Sequence, residues 1–222
     1  ALVLVAVGAY VWAARARRTP GTDERSLPPV AEYTLLFGAL VASAALAFAE
    51  TQFRLLGPLW AWHLLILCGL HAVTAYAYRS PLVLAAAIAA LVGFFGVGPS
   101  FDAAGHALFG NARGGADFGA RALVCAALVG LWRTGDRRLR ADGAFTPVFD
   151  HALANLALAG GVALCVDGAW AFVGLPLAAG CAWLAIRHGL RTGREAFVVY
   201  GVVYAALAVC VAIVPHLGDV ML

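Results

Sequence analysis

The sequence predicts an all-α protein, a polytopic transmembrane helical bundle of about eight spans, and three observations support this. First, the 222 residues are 63% apolar and 12% charged, with a mean hydropathy of +0.88, whereas soluble domains are roughly 45–50% apolar and about 25% charged. Second, the apolar residues form eight runs separated by polar gaps. Third, all fifteen positive charges are arginines, and twelve of them lie in alternate gaps.

The eight apolar runs are the candidate helices. Backbone groups in lipid must form hydrogen bonds within their own segment. The runs also lack the period-two alternation that is typical of membrane strands. Each run is therefore predicted to be a helix. The first run has 14 residues and is shorter than the ~20 that a spanning helix needs, so we expect the natural chain to begin upstream. The runs are 1–14, 33–49, 59–78, 82–98, 118–132, 149–166, 169–186 and 196–214.

The arginine positions predict how the chain is oriented in the membrane. Loops rich in Lys and Arg stay in the cytoplasm, so the gaps 15–32, 79–81, 133–145 and 187–195 are predicted to be cytoplasmic. Only Arg54, Arg113 and Arg121 fall on the opposite side. We therefore predict a multi-pass protein of the bacterial inner (cytoplasmic) membrane.

The same charge pattern indicates the classes of partner. A basic cytoplasmic face suits anionic lipid, while four short loops do not provide the clustered surface that nucleic acid binding needs. We expect the lipid bilayer as a partner, with other membrane protein subunits as further candidates, and no nucleic acid.

The chain reads as a single integral membrane domain, 1–222, with a weak repeat of four plus four helices over 1–117 and 118–222. The first helix ends in VWAARARR and the fifth in VGLWRTGDRR. Each is followed by a helix that begins near an acid, Glu32 or Asp150. Because four helices per half preserve orientation, such a repeat would be parallel.

Side chains that could hold a cofactor are few. The sequence contains no lysine, so Schiff-base, pyridoxal phosphate and P-loop chemistry are not expected. The five cysteines lie within apolar runs without C-x-x-C spacing and predict no metal site. His63 and His71 are the weak cofactor candidates, but eight residues on one helix separate them by about 12 Å, too far to bind one metal ion together. We expect no cofactor and structural, hydrogen-bonded histidines.

Two i,i+4 pairs are the sharpest local patterns: Glu50 and Arg54 in AETQFR, and His151 and Asn155 in FDHALANL. A carboxylate that polarises water, with an arginine, a histidine and an amide, can form a hydrolytic site. The pattern resembles the CAAX-protease and bacteriocin-processing family of intramembrane glutamic proteases, with motifs E-E-x-x-x-R, F-x-x-x-H and H-x-x-x-N. The resemblance implies catalytic roles for Glu50, Arg54, His106, His151 and Asn155. However, alanine replaces the first glutamate, and the arginine count places Glu50 and His106 on the side opposite His151.

A broader resemblance covers most of the chain. The stretch 32–96, together with FTPVFDHALANLALAGG and REAFVVYGVVYAALAV, resembles bacterial multi-span proteins described only as predicted membrane proteins of unknown function. It depends on ordered polar residues: Gln52, Arg54, Trp62, His63, Arg79, Ser80, His151, Asn155 and Glu195. The resemblance implies a helical bundle with no established activity.

Three functions stay open at this point. An accessory or scaffold subunit of a membrane assembly is favoured, because no catalytic site is evident and glycines such as Gly160 and Gly161 allow close helix packing. A transporter of small solutes or lipids is the second, suggested by Pro176 and by the polar start of the sixth helix. A CAAX-like intramembrane protease is the third. Enzymatic activity is left undecided, with a non-catalytic role preferred.

Overall fold

A computed structural model describes residues 1–17, 28–54, 56–59, 61–96, 115–139, 143–166 and 169–220, with the backbone alone at 17, 58 and 214–220. Within these ranges the secondary structure is entirely helical, which confirms the all-α prediction. One short 3-10 turn, Gly57–Leu59, precedes the third helix. The helices are α1 Leu2–Arg17, α2 Pro29–Phe53, α3 Trp62–Tyr78, α4 Pro81–Phe94, α5 Gly115–Leu139, α6 Thr146–Val166, α7 Ala171–Thr192 and α8 Glu195–Val220.

Five of the described helices, α2 and α5 to α8, are long and apolar enough to cross a membrane. A 25-residue helix such as α2 or α5 is about 38 Å long, and the hydrocarbon core of a bilayer is about 30 Å thick. The helices α1, α3 and α4 are apolar but shorter. The lengths and composition fit a membrane protein.

Several helix ends differ from the sequence prediction. α2 begins at Pro29, with a proline in its first turn, which is the position where a missing amide leaves no hydrogen bond unmade. α5 continues through Leu139, seven residues past the predicted end, because arginine is a good helix former. α4 ends at Phe94, before Gly96 with φ +71°. Apolar runs locate the helices, but not where they end.

The contacts divide the chain into a first unit, Ala1–Phe94, and a second unit, Phe95–Leu222. Each contains four of the described helices. In the first unit α2 contacts α1, α3 and α4, and in the second α6 contacts α5, α7 and α8. In both units the second helix therefore touches the other three. The division falls at a different place from the predicted repeat boundary at 117, and the repeat stays a prediction.

Close helix packing depends on glycine in both units. A Cβ added to Gly174 of α7 would lie 2.6 Å from the Cys165 amide nitrogen, and one on Gly38 of α2 would lie 2.8 Å from the Ala9 Cβ. Small residues let helix backbones approach closely, as is typical of helix pairs in membranes. α2 and α3 contact each other less extensively than α1 and α2 or α3 and α4 do.

Candidate binding site in the second unit

Asp150, near the start of α6, is the centre of an ionic cluster. Its side chain is only 10% exposed. The Arg133 Nη2 atom lies 2.5 Å from Asp150 Oδ1, and the Arg194 Nη1 atom lies 3.4 Å from Oδ2. The His188 Nε2 atom is 4.0 Å from the same Oδ2. One carboxylate therefore joins α5, the end of α7 and the turn that follows α7.

Aromatic packing between α5 and α6 fixes the strongest of these pairs. The Phe149 side chain is fully buried, and its ring contacts Trp132 edge-on at a centroid distance of 5.7 Å. Trp132 and Phe149 immediately precede Arg133 and Asp150 in the sequence. The ring contact thus holds the two helices in the register that brings guanidinium and carboxylate together.

The turn after α7 positions the second arginine. α7 ends at Thr192, and Gly193 adopts a left-handed conformation with φ +67°, which glycine tolerates without strain. The Arg194 amide donates a hydrogen bond to the Gly189 carbonyl at 3.0 Å, closing a helix-terminating turn of the Schellman kind. The turn returns the chain into α8 and leaves Arg194 beside Asp150.

Several polar atoms of the cluster retain hydrogen-bonding capacity. Arg133 Nε, His188 Nε2 and His151 Nδ1 are buried, and none of them has a hydrogen-bond partner among the described residues. Phe197 of α8 stacks on the His151 ring at 4.7 Å and meets the His188 ring edge-on at 4.9 Å. An unsatisfied buried polar atom typically costs about 1–3 kcal/mol. A ligand that supplies acceptors here would recover part of that free energy.

A groove of about 280 Å³ lies directly against the cluster. Arg133, Asp150 and His188 line one end, and the rest of the wall is apolar. Seven residues separate Asp150 from Ala157, so the groove follows α6 for about 10 Å. Apolar clefts with a few polar groups at one position are the usual form of a small-molecule site. The apolar wall includes Leu153, Ala157, Cys181, Leu184 and Phe197.

The polar end of the groove belongs to a basic region of the second unit. Among the residues that the structure describes, six arginines lie on the last turns of α5 and α7 or in the turn that follows α7, against three acids, Asp136, Asp150 and Glu195. Arg187 stacks over the Trp183 ring at 5.0 Å, an arrangement that suits a membrane–water interface. The arginines are Arg133, Arg137, Arg138, Arg187, Arg191 and Arg194.

The protease prediction involves four described residues that fall in different units. In the first unit, both Glu50 carboxylate oxygens accept the Leu56 amide at 3.1 Å, and Arg54 is exposed at the left-handed end of α2. In the second unit, the Asn155 amide donates to the His151 carbonyl at 2.8 Å. His106 lies outside the described residues. The hydrolytic constellation stays a prediction.

The two cofactor candidates of α3 differ in their surroundings. His71 is 2% exposed, and its Nε2 atom lies 2.8 Å from the Ser43 hydroxyl of α2. That contact is what a structural histidine makes between helices. His63 is half-buried. In the part of the chain that the structure describes, no group of three or more His, Cys, Asp or Glu side chains could hold a metal ion. A cofactor role for His63 or His71 stays a prediction.

Sequence reasoning marked Asp150 and His151 but did not connect them with Arg133, His188 and Arg194. Arg133 and Arg194 were interpreted only as cytoplasmic charges that set the orientation, and His188 was assigned no role. The sequence did contain one indication of these contacts: Asp150 is one of few acids among the many arginines predicted to lie on the cytoplasmic side. A carboxylate there has to be a counter-ion for some of them.

Comparison with family models, with curated proteins and with solved structures finds no match to this chain. The two resemblances drawn from the sequence therefore stay predictions, and functional conclusions depend on the geometry of the groove and its charged end.

Proposed function

We propose that this chain is a multi-pass protein of the bacterial cytoplasmic membrane whose second unit binds a lipid-like amphiphile. The observation that carries the proposal is the groove of about 280 Å³ with apolar walls and a charged end at Arg133, Asp150 and His188. An amphiphile has the same division, with a hydrocarbon tail and a polar head. This is the lipid-handling alternative of the sequence analysis, and it assigns no catalytic step.

The position of the groove supports a ligand that arrives from the surrounding lipid. Leu184 of α7 forms part of the groove wall and is nevertheless 56% exposed. Its neighbour Trp183 is 57% exposed. A tail in the groove would be continuous with the hydrocarbon around α7. Because lipid is as apolar as the groove wall, the tail would be held by van der Waals packing and not by transfer out of water.

The depth of the charged end also supports the proposal. The arginine pattern predicts that the end of α5 and the end of α7 lie at the cytoplasmic surface. The Arg187–Trp183 stack is the kind of pair that occupies the head-group region. A head group at Arg133 and His188 would then lie at its normal depth, with its tail pointing inward along α6.

A second candidate function, an accessory or scaffold subunit, is favoured by a different observation. Gly8, Gly69 and Gly180 are exposed, and a Cβ added to any of them would meet nothing within 4 Å. Exposed glycines on apolar helices let a second helix approach closely. Purification in mild detergent tests this candidate: a subunit comigrates with partners, and migration as a lone chain contradicts it.

Photo-crosslinking tests the amphiphile proposal. The protein is reconstituted with phosphatidylglycerol and phosphatidylcholine analogues that carry a diazirine in the acyl chain, and the adducts are mapped by peptide mass spectrometry. We expect adducts on the groove faces of α6 and α7. Ala157→Phe fills the groove and should remove most of that labelling. The matched control Ala179→Phe adds the same ring to an exposed position of α7 outside the groove wall and should leave labelling unchanged.

Both variants must retain the thermal unfolding midpoint of the parent, which shows that Ala157→Phe acts by filling space. Labelling at the groove that is equally strong in the parent and in Ala157→Phe would refute the proposal. So would the absence of groove adducts from both head groups.

A further inference from the structure

We infer that the amphiphile is an anionic phospholipid whose head group is bound by Arg194, Arg133 and His188. The inference deepens the proposed amphiphile-binding function and rests on it. It names the class of ligand and the side chains that select it.

The charges at the end of the groove favour an anion. Two guanidinium groups, which keep their charge at any physiological pH, pair with the one carboxylate: Arg133 lines the groove, and Arg194 lies beside the lining, 3.4 Å from Asp150 Oδ2. The pair with Arg133 is short at 2.5 Å, whereas Arg194 is 3.4 Å from Asp150 and 40% exposed. Arg194 is thus the more loosely held cation. A phosphate could accept hydrogen bonds from it without breaking the shorter pair.

The other acids near the charged end do not cancel this excess. Asp136 lies on α5 and is 5% exposed, and it is not among the residues that line the groove. Glu195 is exposed at the start of α8. With six arginines against three acids among the described residues of this region, the local potential there is positive even with a negative charge on every acid.

The unmet hydrogen-bonding capacity matches a phosphate group. The Arg133 Nε–H group can only donate, and it is buried without a partner in the described part of the chain. The His188 Nε2 atom is likewise buried without a hydrogen-bond partner there. Charge-assisted bonds from arginine to phosphate oxygens are among the strongest in proteins. A zwitterionic choline head would add a cation to a region already rich in arginine.

The apolar groove distinguishes a lipid from free phosphate. A free anion would use only the charged end and leave about 10 Å of apolar wall along α6 without an occupant. Only a ligand with both a hydrocarbon tail and a phosphate head can occupy the apolar wall and the charged end together, and a phospholipid has both.

Native mass spectrometry with controlled lipid exchange tests the inference. The detergent-solubilised chain is titrated with dioleoyl phosphatidylglycerol or dioleoyl phosphatidylcholine. We expect phosphatidylglycerol to bind about five- to tenfold more tightly. Arg194→Gln should remove most of that preference. Arg191→Gln, an equally conservative change at an exposed arginine that is not one of the Asp150 ion-pair partners among the described residues, should keep it. Arg194→Lys, which retains the charge, should keep the larger part.

Competition with an excess of inorganic phosphate distinguishes a phospholipid head group from free phosphate as the bound anion. We expect phosphate to leave bound phosphatidylglycerol in place. Displacement at concentrations comparable to those of the lipid would show a free-anion site and overturn the lipid assignment.

The outcomes separate this inference from the proposed function. If Ala157→Phe weakens both lipids but the parent binds them equally, the groove holds an amphiphile and the anionic selection is wrong. If Arg191→Gln lowers the preference as much as Arg194→Gln does, general surface charge explains it and the assigned head-group site is wrong. If Ala157→Phe changes neither lipid, the proposed function itself fails.

Discussion

The two units use an acid at the start of their second helix in different ways. In the first unit, the Glu32 carboxylate of α2 accepts hydrogen bonds from the Ser80 hydroxyl at 3.1 Å and the Leu82 amide at 3.4 Å. In the second, the Asp150 carboxylate of α6 pairs with Arg133 and Arg194. In both cases the acid reaches the turn that joins the third and fourth helices of its unit.

The difference lies in what the turn offers to the acid. Ser80 is fully buried, so Glu32 meets neutral donors in a closed turn and acts as a hydrogen-bond acceptor. Arg194 is partly exposed and charged, so Asp150 acts as a counter-ion beside a groove. The same helix arrangement therefore supports a structural contact in one unit and a candidate binding site in the other.

The largest expected effect comes from removing the charge of each acid while keeping its shape. Asp150→Asn leaves two arginines without their counter-ion, and disrupting a buried pair in this way should lower the unfolding free energy by about 2–4 kcal/mol. Glu32→Gln keeps an acceptor for the Ser80 hydroxyl and the Leu82 amide, so its cost should stay below about 1 kcal/mol. Denaturation with SDS in mixed micelles measures both.

The ranking of these two variants is the informative result. Asp117→Asn, which removes an exposed carboxylate from its pair with Arg121, is the control for charge loss alone and should change stability by about 1 kcal/mol or less. Equal losses for Glu32→Gln and Asp150→Asn would mean that the two acids have the same role.

A smaller effect is expected where helices approach each other closely. In Gly174→Ala the new Cβ would meet backbone atoms at 2.6 and 2.7 Å, which cannot move without shifting a helix, so we expect a loss of about 2–3 kcal/mol. Gly38→Ala meets the Ala9 Cβ at 2.8 Å, which is fixed to its backbone and can move only with α1, and should lose about 1–2 kcal/mol because this contact is the less close of the two. Gly180→Ala, which meets nothing within 4 Å, should be neutral. A loss at Gly180 comparable to that at Gly174 would contradict the packing.

The smallest effects concern one polar contact between helices in each unit. Ser43→Ala leaves His71 Nε2, which is deeply buried, without its 2.8 Å partner, and should destabilise by about 1–2 kcal/mol. Tyr204→Phe removes a longer hydrogen bond, 3.3 Å from the Tyr204 hydroxyl to the side-chain Oδ1 atom of Asn155, and should cost about 0.6 kcal/mol. Thr34→Val removes a hydroxyl that bonds only within its own helix and serves as the reference. A larger loss for Tyr204→Phe than for Ser43→Ala would contradict these assignments.

The fold could be predicted from the sequence to the level of eight helices and their approximate positions. Helix residues that face lipid or the protein core must be apolar, so apolar runs locate the middle of each helix. The eight runs correspond to the eight described helices. The ends were missed for two reasons. α5 continues to Leu139 because a helix satisfies its own backbone hydrogen bonds and can extend through arginines. α4 ends at Phe94, just before Gly96 adopts a left-handed conformation. Of the three shorter helices, only the first was recognised from the sequence as shorter than a typical span.

The candidate site was predicted only in part. Asp150 and His151 stood out because polar residues opened an apolar helix. Their partners could not be deduced, since the Arg133–Asp150 and Asp150–Arg194 contacts join residues 17 and 44 positions apart, and no sequence periodicity encodes such distances. The groove depends on how α6 and α7 pack, with small residues such as Ala157 opposite larger ones, and that is a tertiary property.

The position of lipid adducts in the parent protein tests most directly whether the second unit alone contains the amphiphile site. After irradiation with the diazirine phosphatidylglycerol, we expect adducts concentrated on the groove faces of α6 and α7, around Ala157 and Leu184, well above the level on α2 and α3 of the first unit. Adducts spread evenly over the exposed apolar residues of both units would contradict a specific site.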